Sequence, residues 1–532
     1  MEMAALGGVT AGNRKEALKK FIRGGLLLSC TALAMRLVGI YFNAYVAGRL
    51  GAGGMGLIGL VMSIYNFAVT FATSGISLSA TRLVAEAMGR GSDRELRLAM
   101  RRCILYALGF GISAMVLLFA FSYPIGIYLL GDDRTVLSLR VLSPALPCIA
   151  LSSAMNGYFT AVRRVHKSAA ASVFEQFVKI TLTAVGLTLL LPKGLEFACV
   201  AVVGGSCIAE ALSFLLSFLL YKFDMKKQIG RDGHAPKGLT ARLLQIALPV
   251  AFTAYVKSGL VTVEHLLIPR GLQYFGQSRE EALASYGYVQ SMALPVVLFP
   301  MAILTSFTGL LIPEFAEAKA RGENLRIRRL TGKVLHYALL FAIGTTGLLT
   351  VFASTLGKLL FHSAQAGYFI RIFAPLIPFM YFDSTVDAML KGLGEQVYSM
   401  KVNILDAAIS VLLVATVLPF TGIIGYAAII WSMEVLNLTL SLRRLVKLVH
   451  PAFSVYGSIL LPLFSAVAAA LLIHPVGKAL AGAGLSDAAA LAVSMALQGG
   501  LYTGITLLFE RLQKTPETAA LPNFFPKRKK HS

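Results

Sequence analysis

Ala85–Arg97 reads Ala-Glu-Ala-Met-Gly-Arg-Gly-Ser-Asp-Arg-Glu-Leu-Arg, and Ala316–Arg328 reads Ala-Glu-Ala-Lys-Ala-Arg-Gly-Glu-Asn-Leu-Arg-Ile-Arg. The shared frame is Ala-Glu-Ala-x-x-Arg-Gly, with Arg97 and Arg328 also in step, at an offset of 231 residues. One short basic match is within the reach of chance. A second at the same offset is not: Ser143-Pro144-Ala-Leu-Pro147 falls on Ala374-Pro375-Leu-Ile-Pro378, and Glu175 falls on Asp406. The chain is therefore expected to hold two copies of one unit of about 230 residues, followed by a tail. Duplication on this scale in an apolar chain is the plan of secondary transporters.

Of the 532 residues, 56% are hydrophobic and only 14% charged, whereas a soluble domain carries about a quarter charged residues. Long apolar stretches recur from Phe21 to Glu510, so the fold class is an all-α polytopic membrane protein. Fourteen spans are expected, at roughly 22–48, 56–84, 103–130, 141–162, 169–192, 197–221, 243–269, 283–313, 334–357, 372–390, 402–419, 422–442, 452–475 and 485–509. They divide into an N-lobe (1–221, helices 1–6), a cytoplasmic inter-lobe linker (222–242) and a C-lobe (243–450, helices 7–12). Helices 13 and 14 (451–510) have no echo in the first copy, and 511–532 is a basic cytoplasmic tail.

The net charge of +23 invites a nucleic-acid reading, but the placement of the charges excludes it. With the N-terminus inside, the inner connections and the two termini hold roughly three quarters of the 49 Lys and Arg, which is the positive-inside pattern of a plasma-membrane protein with both termini cytoplasmic. That surplus orients the chain and meets anionic lipid headgroups. Arg14, Lys15, Lys19, Lys20 and Arg23 precede an apolar segment too long for a cleaved signal, so it reads as an uncleaved first span. The five cysteines sit in or beside apolar spans at no metal-ligand spacing and read as small core residues. Gly51–Gly56 formally matches G-x-G-x-x-G, but a helix precedes it and a tight turn is the expectation. No P-loop, HExxH or GxSxG occurs. No catalytic residue, metal site or cofactor is expected, and the chain does not read as an enzyme.

An ionised side chain at the centre of a span costs about 2.5–3.5 kcal/mol on insertion scales, so such residues face a bundle interior or a wet cavity. Arg36 lies near the middle of span 1, and Asn43, seven residues on, shares its helical face. Together they are a candidate anion contact; the alternative for Arg36 is a structural pair with a carboxylate of another span. Lys257 and Glu264 repeat that spacing on span 7, the counterpart of span 1. Lys257 is a candidate second anion contact or a snorkelling, lipid-facing residue, and Glu264 either binds a coupling cation or pairs with Lys257. His265 points to another face and reads as a satisfied polar residue. Glu175 and Lys179 stand in the order that favours an intrahelical pair, and read either as a self-neutralised pair fixing the lobe or as ligand contacts. Asp406 replaces Glu175 in the second copy without a matching lysine, which favours packing or a hinge. Asp383, Asp387 and Lys391 are spaced by four on span 10, as a proton or sodium site or as a structural network. Arg82, near the inner end of span 2, suits a headgroup contact or an entrance. Glu210 and Glu434 echo each other at 224 residues, a slip assigned to shortened outer turns.

Thr81-Arg-Leu-Val-Ala-Glu-Ala87, followed by a glycine and a basic loop, resembles the element after the second helix in the multidrug/oligosaccharidyl-lipid/polysaccharide exporter superfamily. Phe174-Glu-Gln-Phe-Val-Lys-Ile180 resembles an element of its stage V sporulation protein B branch, and Leu191–Glu196 and Gly204–Glu210 continue the likeness. The resemblance implies a V-shaped bundle of two pseudo-symmetric six-helix lobes around a central cavity. It also implies flipping of lipid-linked saccharides for wall or spore-cortex peptidoglycan, with cavity arginines holding pyrophosphate. Related lipid II flippases carry an Arg and then an Arg-Asp on the first helix. Arg36–Asn43 keeps the first and lacks the others, and Lys179 stands where the branch has Arg.

The expected function is alternating-access flipping of a polyprenyl-pyrophosphate-linked saccharide, with Arg36 and Lys257 on the pyrophosphate and coupling to H+, Na+ or the membrane potential. Two alternatives stand beside it: a cation-coupled multidrug antiporter of the same fold, and a non-transporting scaffold for envelope assembly.

Overall fold

The computed structural model describes residues 11–226, 238–451, 454–482 and 486–513, with side chains from Ala34 onward apart from 226, 306–310, 313, 474–482 and 510–513. The first copy comprises α1 (Ala11–Thr73), α2 (Ile76–Gly89), α3 (Asp93–Ala120), α4 (Arg134–Leu142), α5 (Ala145–Ala161), α6 (Val165–Leu190) and α7 (Leu195–Lys226). The second comprises α8 (Leu239–Tyr274), α9 (Arg279–Tyr286), α10 (Met301–Ala320), α11 (Asn324–Phe361), α12 (Ala364–Phe373), α13 (Ile377–Gly392), α14 (Gln396–Thr416) and α15 (Leu418–Val449). Then come α16 (Leu461–Gly482) and α17 (Asp487–Gln513). π-helical turns at Ile125–Leu130, Gly287–Ala293 and Tyr456–Leu460 and a short helix at Leu294–Leu298 fill breaks between them. No strand occurs among the described residues. A bilayer offers backbone groups no water, and a helix satisfies them within one segment.

Among the described residues, twelve stretches are long and apolar enough to cross a membrane, against the fourteen spans expected. Two places differ from the expectation. Ala34–Gly89 is counted once although it holds expected spans 1 and 2 on either side of Gly51, and the expected eighth span is split among α9, a π-helical turn, Leu294–Leu298 and α10. At Gly51 the chain nevertheless doubles back. The Asn43 amide donates to the Ser291 carbonyl at 2.7 Å, and the Ser291 hydroxyl donates to the Met55 carbonyl at 3.0 Å. A straight helix would hold residues 43 and 55 about 18 Å apart. Gly51 makes the reversal at φ 68°, where a Cβ would be strained.

The duplication is written into the element boundaries. Gly89 and Ala320 end helices, Asp93 and Asn324 begin the next, and Val165 and Gln396 begin later ones, each pair 231 residues apart. The Arg-Gly of the repeated motif is a joint: Gly91 at φ 68° and Gly322 at φ 69° turn the chain after α2 and α10. Ser92 then caps α3 by accepting from the Glu95 N–H at 3.2 Å. Helices break before Pro144 and at Ala374–Leu376, where proline removes a backbone donor. The register slip lies partly within a helix, since α6 has 26 residues and α14 has 21. Turn length alone, as the sequence suggested, does not account for it.

Helices α2–α7 pack among themselves, as do α8 and α10–α15, while α16 and α17 pack on each other and on α11. Ala80, Ala99, Ala107, Ala150 and Ala154 are fully buried at crossings in the first set. Lipid offers helices no hydrophobic drive to associate, so close van der Waals contact between small residues takes its place. Phe177, Leu189, Phe420 and Leu471 are exposed, as lipid-facing side chains are. Cys103 and Cys199 are buried, Cys148 and Cys207 partly so, and all four are free. The Cys30 side chain, residues 227–237 of the expected linker and 514–532 of the expected tail lie outside the described residues.

Candidate functional site

The helices alternate in direction, so the bundle has two ends. The basic end carries the joints at 90–92, 163–164, 321–323 and 393–395; the far end carries Gly51, 131–133, 275–278 and 362–363. Between the ends runs a seam where the first copy meets the second.

At the far end the seam is tight. A Cβ on Gly56 would overlap the Leu283 carbonyl oxygen, and one on Gly287 would overlap that of Ala52. The Arg270 guanidinium donates to the main-chain carbonyls of Tyr128 and, at 2.8 Å, Leu129. Asp132, 5% exposed, bonds Arg134 at 2.7 Å and meets Arg279 across the seam at 3.2 Å. A carboxylate this buried persists only when paired. Burial alone would raise its pKa; the hydrogen bonds and charge of Arg134, with the charge of Arg279, outweigh burial and hold the carboxyl below the ordinary 3.8. Toward the basic end, α8 lies along the 52–73 arm of α1. The Tyr255 hydroxyl donates to the Phe71 carbonyl at 3.1 Å, Ser258 bonds Thr70 at 3.2 Å, and Arg242 reaches Glu86 at 3.0 Å. Glu86 belongs to the repeated motif and also holds Arg82 at 3.2 Å. The seam is thus bridged at both ends.

Within the first copy the Tyr65 hydroxyl donates to Glu210 at 2.7 Å, and Glu175 and Lys179 lie within electrostatic reach of Glu210. No ion pair joins Glu175 to Lys179 among the described residues. Four carboxylates converge in the second copy from four helices: Glu264 on α8, Asp383 on α13, Asp406 on α14 and Glu434 on α15. Lys257 donates to Asn403 at 2.9 Å and lies within reach of Asp383 and Asp406, while Ser410 faces Glu264. Asn403 and Ser410 on α14 repeat the seven-residue spacing of Lys257 and Glu264 on α8, so two parallel helices present matched polar faces. One oxygen each of Asp383 and Asp406 is buried without a hydrogen-bond partner among the described residues. Asp387 is engaged by Lys391 at 2.5 Å and by the Ser399 hydroxyl. His265 bonds the Tyr286 hydroxyl at 2.6 Å. No group of three or more His, Cys, Asp or Glu among the described residues is placed to hold a metal ion.

Arg36 is exposed, forms no salt bridge among the described residues, and donates one long bond of 3.4 Å to the Leu298 carbonyl. Asn43 bonds Ser291 of the same broken segment, so the shared face of Arg36 and Asn43 meets one neighbour. No described contact joins Arg36 to Lys257: Arg36 lies within reach of Tyr381, and Lys257 within reach of Asp383. Residues 381 and 383 stand on nearly opposite sides of α13. Tyr65, Glu434, Asn403 and the seam arginines 242, 270 and 279 are absent from the sequence-derived candidates. Only Glu434, an acid in an apolar span echoing Glu210, carried a readable signal.

The family described as "Polysaccharide biosynthesis protein" matches residues 21–319, and that described as "MatE" matches 274–417. Stage V sporulation protein B of Bacillus subtilis is 26% identical over 515 residues, which is 95% of this chain and 98% of that protein. Lipid II flippase MurJ of the same organism is 22% identical over 74% of this chain and 76% of its own length. Among solved structures, a lipid II flippase MurJ in an inward closed conformation superposes with a TM-score of 0.69 at 14% identity, covering 91% of this chain and 99% of that one. This last likeness is one of fold.

Proposed function

Because the chain belongs to the polysaccharide biosynthesis protein family, a multi-pass membrane family whose relatives here include flippases, we propose that it flips a polyprenyl-pyrophosphate-linked saccharide, lipid II or a related wall or spore-cortex precursor, from the inner to the outer leaflet. The observation that carries this reading is Arg36. It is an exposed cation beside the seam with no carboxylate partner among the described residues. A cation in a span needs an anion or water, and a pyrophosphate supplies the anion. Asn43 on the same face supplies an amide, and Lys257 a second cation once its bond to Asn403 is exchanged. Arg82 at the basic end would meet the headgroup or anionic lipid on entry. The polyprenyl tail stays in the bilayer while the headgroup passes between lobes 1–221 and 243–450, which rock about the seam. The basic end, with both termini, faces the cytoplasm.

In this scheme the second-copy acids Glu264, Asp383 and Asp406 take up the coupling H+ or Na+. Glu175, Lys179 and Asp387 hold lobe structure. That acid cluster also favours a second reading, a cation-coupled multidrug antiporter of the same fold. The two separate in proteoliposomes given a fluorescent lipid-linked saccharide. A flippase moves the headgroup and loses this with Arg36→Ala at unchanged protein level. Equal transport by both proteins moves the anion site elsewhere; transport by neither, under an imposed proton or sodium gradient, favours the antiporter.

A further inference from the structure

Away from the acids and from Arg36, a cavity of about 620 Å3 opens at the far end of the second copy. Its walls come from α9 with the π-helical turn that follows, from α12, and from the start of α15. Four aromatic residues line it: Phe275, Tyr288, Tyr368 and Phe369. Phe275 rests on the break of α15 at Gly422, where a Cβ would stand 2.7 Å from its ring. Phe275 is 48% exposed and Tyr368 51% exposed, so both side chains keep accessible surface beside the cavity. The polar lining is Gln277, Ser285, Gln365 and Glu281, whose carboxylate already accepts from the Ser278 N–H and hydroxyl at 2.9 Å. The Gln277 side-chain oxygen is buried and has no hydrogen-bond partner among the described residues. A buried amide oxygen left unpaired is costly, so turning the Gln277 amide toward the cavity, where a ligand hydroxyl can reach it, relieves that cost.

The chemistry of this lining is specific. No Lys, Arg or His contributes to it, which excludes a phosphate or pyrophosphate anchor. A pyranose ring has an apolar C–H face that lies flat on an aromatic ring, and hydroxyl and acetamido groups at its edge that donate and accept. Rings for the face, with amides and a hydroxyl for the edge, match that pattern, as small-molecule sites pair apolar walls with a few placed polar groups.

We propose that this cavity is a saccharide subsite, taking a neutral N-acetylhexosamine unit of the headgroup as it emerges at the far end. The arrival of a sugar there rests on the flippase reading; sugar binding itself is measured without transport. The test is saturation-transfer-difference NMR on the full chain in detergent with N,N′-diacetylchitobiose. The variants are Gln277→Leu and Tyr368→Ala, beside Tyr123→Ala, an exposed tyrosine outside the cavity. Support is a wild-type sugar signal that falls at least fivefold in both cavity variants and persists in Tyr123→Ala. No wild-type signal, or equal signals in all four proteins, overturns the subsite. Chain that transports in proteoliposomes but shows no cavity-dependent signal keeps the flippase reading and loses the subsite. Cavity-dependent binding by a chain that transports no saccharide does the reverse.

Discussion

Replacing Gly56 by alanine tests whether the far-end seam governs access. The added Cβ would overlap the Leu283 carbonyl oxygen and stand 2.8 Å from its carbon, both backbone atoms, so no rotamer change relieves the clash. The 52–73 arm of α1 and α9 must part until that separation reaches at least the 3.4 Å of ordinary contact. Overpacking of this kind costs about 1–3 kcal/mol, and it falls only on the state in which the far end is closed. The closed-to-open ratio therefore drops by roughly 5- to 150-fold. Nitroxides at Tyr123→Cys and Tyr274→Cys, exposed on opposite sides of the seam, would report it by pulsed electron double resonance, with the five native cysteines changed to alanine. The longer-distance population should grow in Gly56→Ala and in Gly287→Ala, whose Cβ would overlap the Ala52 oxygen. Gly53→Ala should change nothing, since no atom lies within 4 Å of its added Cβ. A Gly56→Ala protein of unchanged thermal stability with the parent's distance distribution would refute the reasoning, as would equal opening by Gly53→Ala.

Three further outcomes are expected. The Asp132 carboxyl is held below 3.8 in the folded chain, so its stabilising charge is fully present above the unfolded pKa and is lost as pH falls through the folded one. Wild type should out-melt Asp132→Asn by a constant margin from roughly pH 5 to 8, closing below about pH 4; a margin undiminished at low pH contradicts this. Tyr65→Phe strips Glu210 of its hydroxyl partner and should cost about 1–3 kcal/mol in thermal unfolding, whereas Glu210→Gln keeps an acceptor for Tyr65 and should cost less. Arg242→Ala breaks an exposed bridge to Glu86 worth about 0.2–1 kcal/mol. By the same distance measurement it should loosen the basic end less than Gly56→Ala opens the far end.

The sequence carried the architecture where local chemistry repeats. Arg-Gly joints, proline breaks and caps act within a few residues, so Gly91 pairs with Gly322 and Pro144 with Pro375 by sequence alone. What it hid depends on distant chain. The reversal at Gly51 is legible from its glycines, but the contacts that brace it, Asn43 and Met55 on Ser291, come from chain more than 230 residues away. The segment after Tyr286 keeps a continuous apolar pattern through a π-helical turn, and periodicity does not register that change of winding. Among the ionisable residues, Arg36 and Lys257 were legible as charges in apolar spans, because insertion cost makes them conspicuous. Their partners were not: Leu298 offers only a carbonyl, and Asn403 lies on another helix. Glu264, Asp383, Asp406 and Glu434 are separate acids in the sequence and become a group only when α8, α13, α14 and α15 pack.

The far-end lock at Arg270 has a consequence for mutational drift. Its guanidinium grips main-chain oxygens of Tyr128 and Leu129, while both of those side chains are exposed, at 74% and 38%. Substitutions at either partner therefore leave the grip intact so long as the π-helical turn survives, whereas any change at Arg270 removes it. A saturation mutagenesis scan would score Arg270 as intolerant and its two partners as permissive, and a search for compensating pairs would return no mate for a residue that holds two.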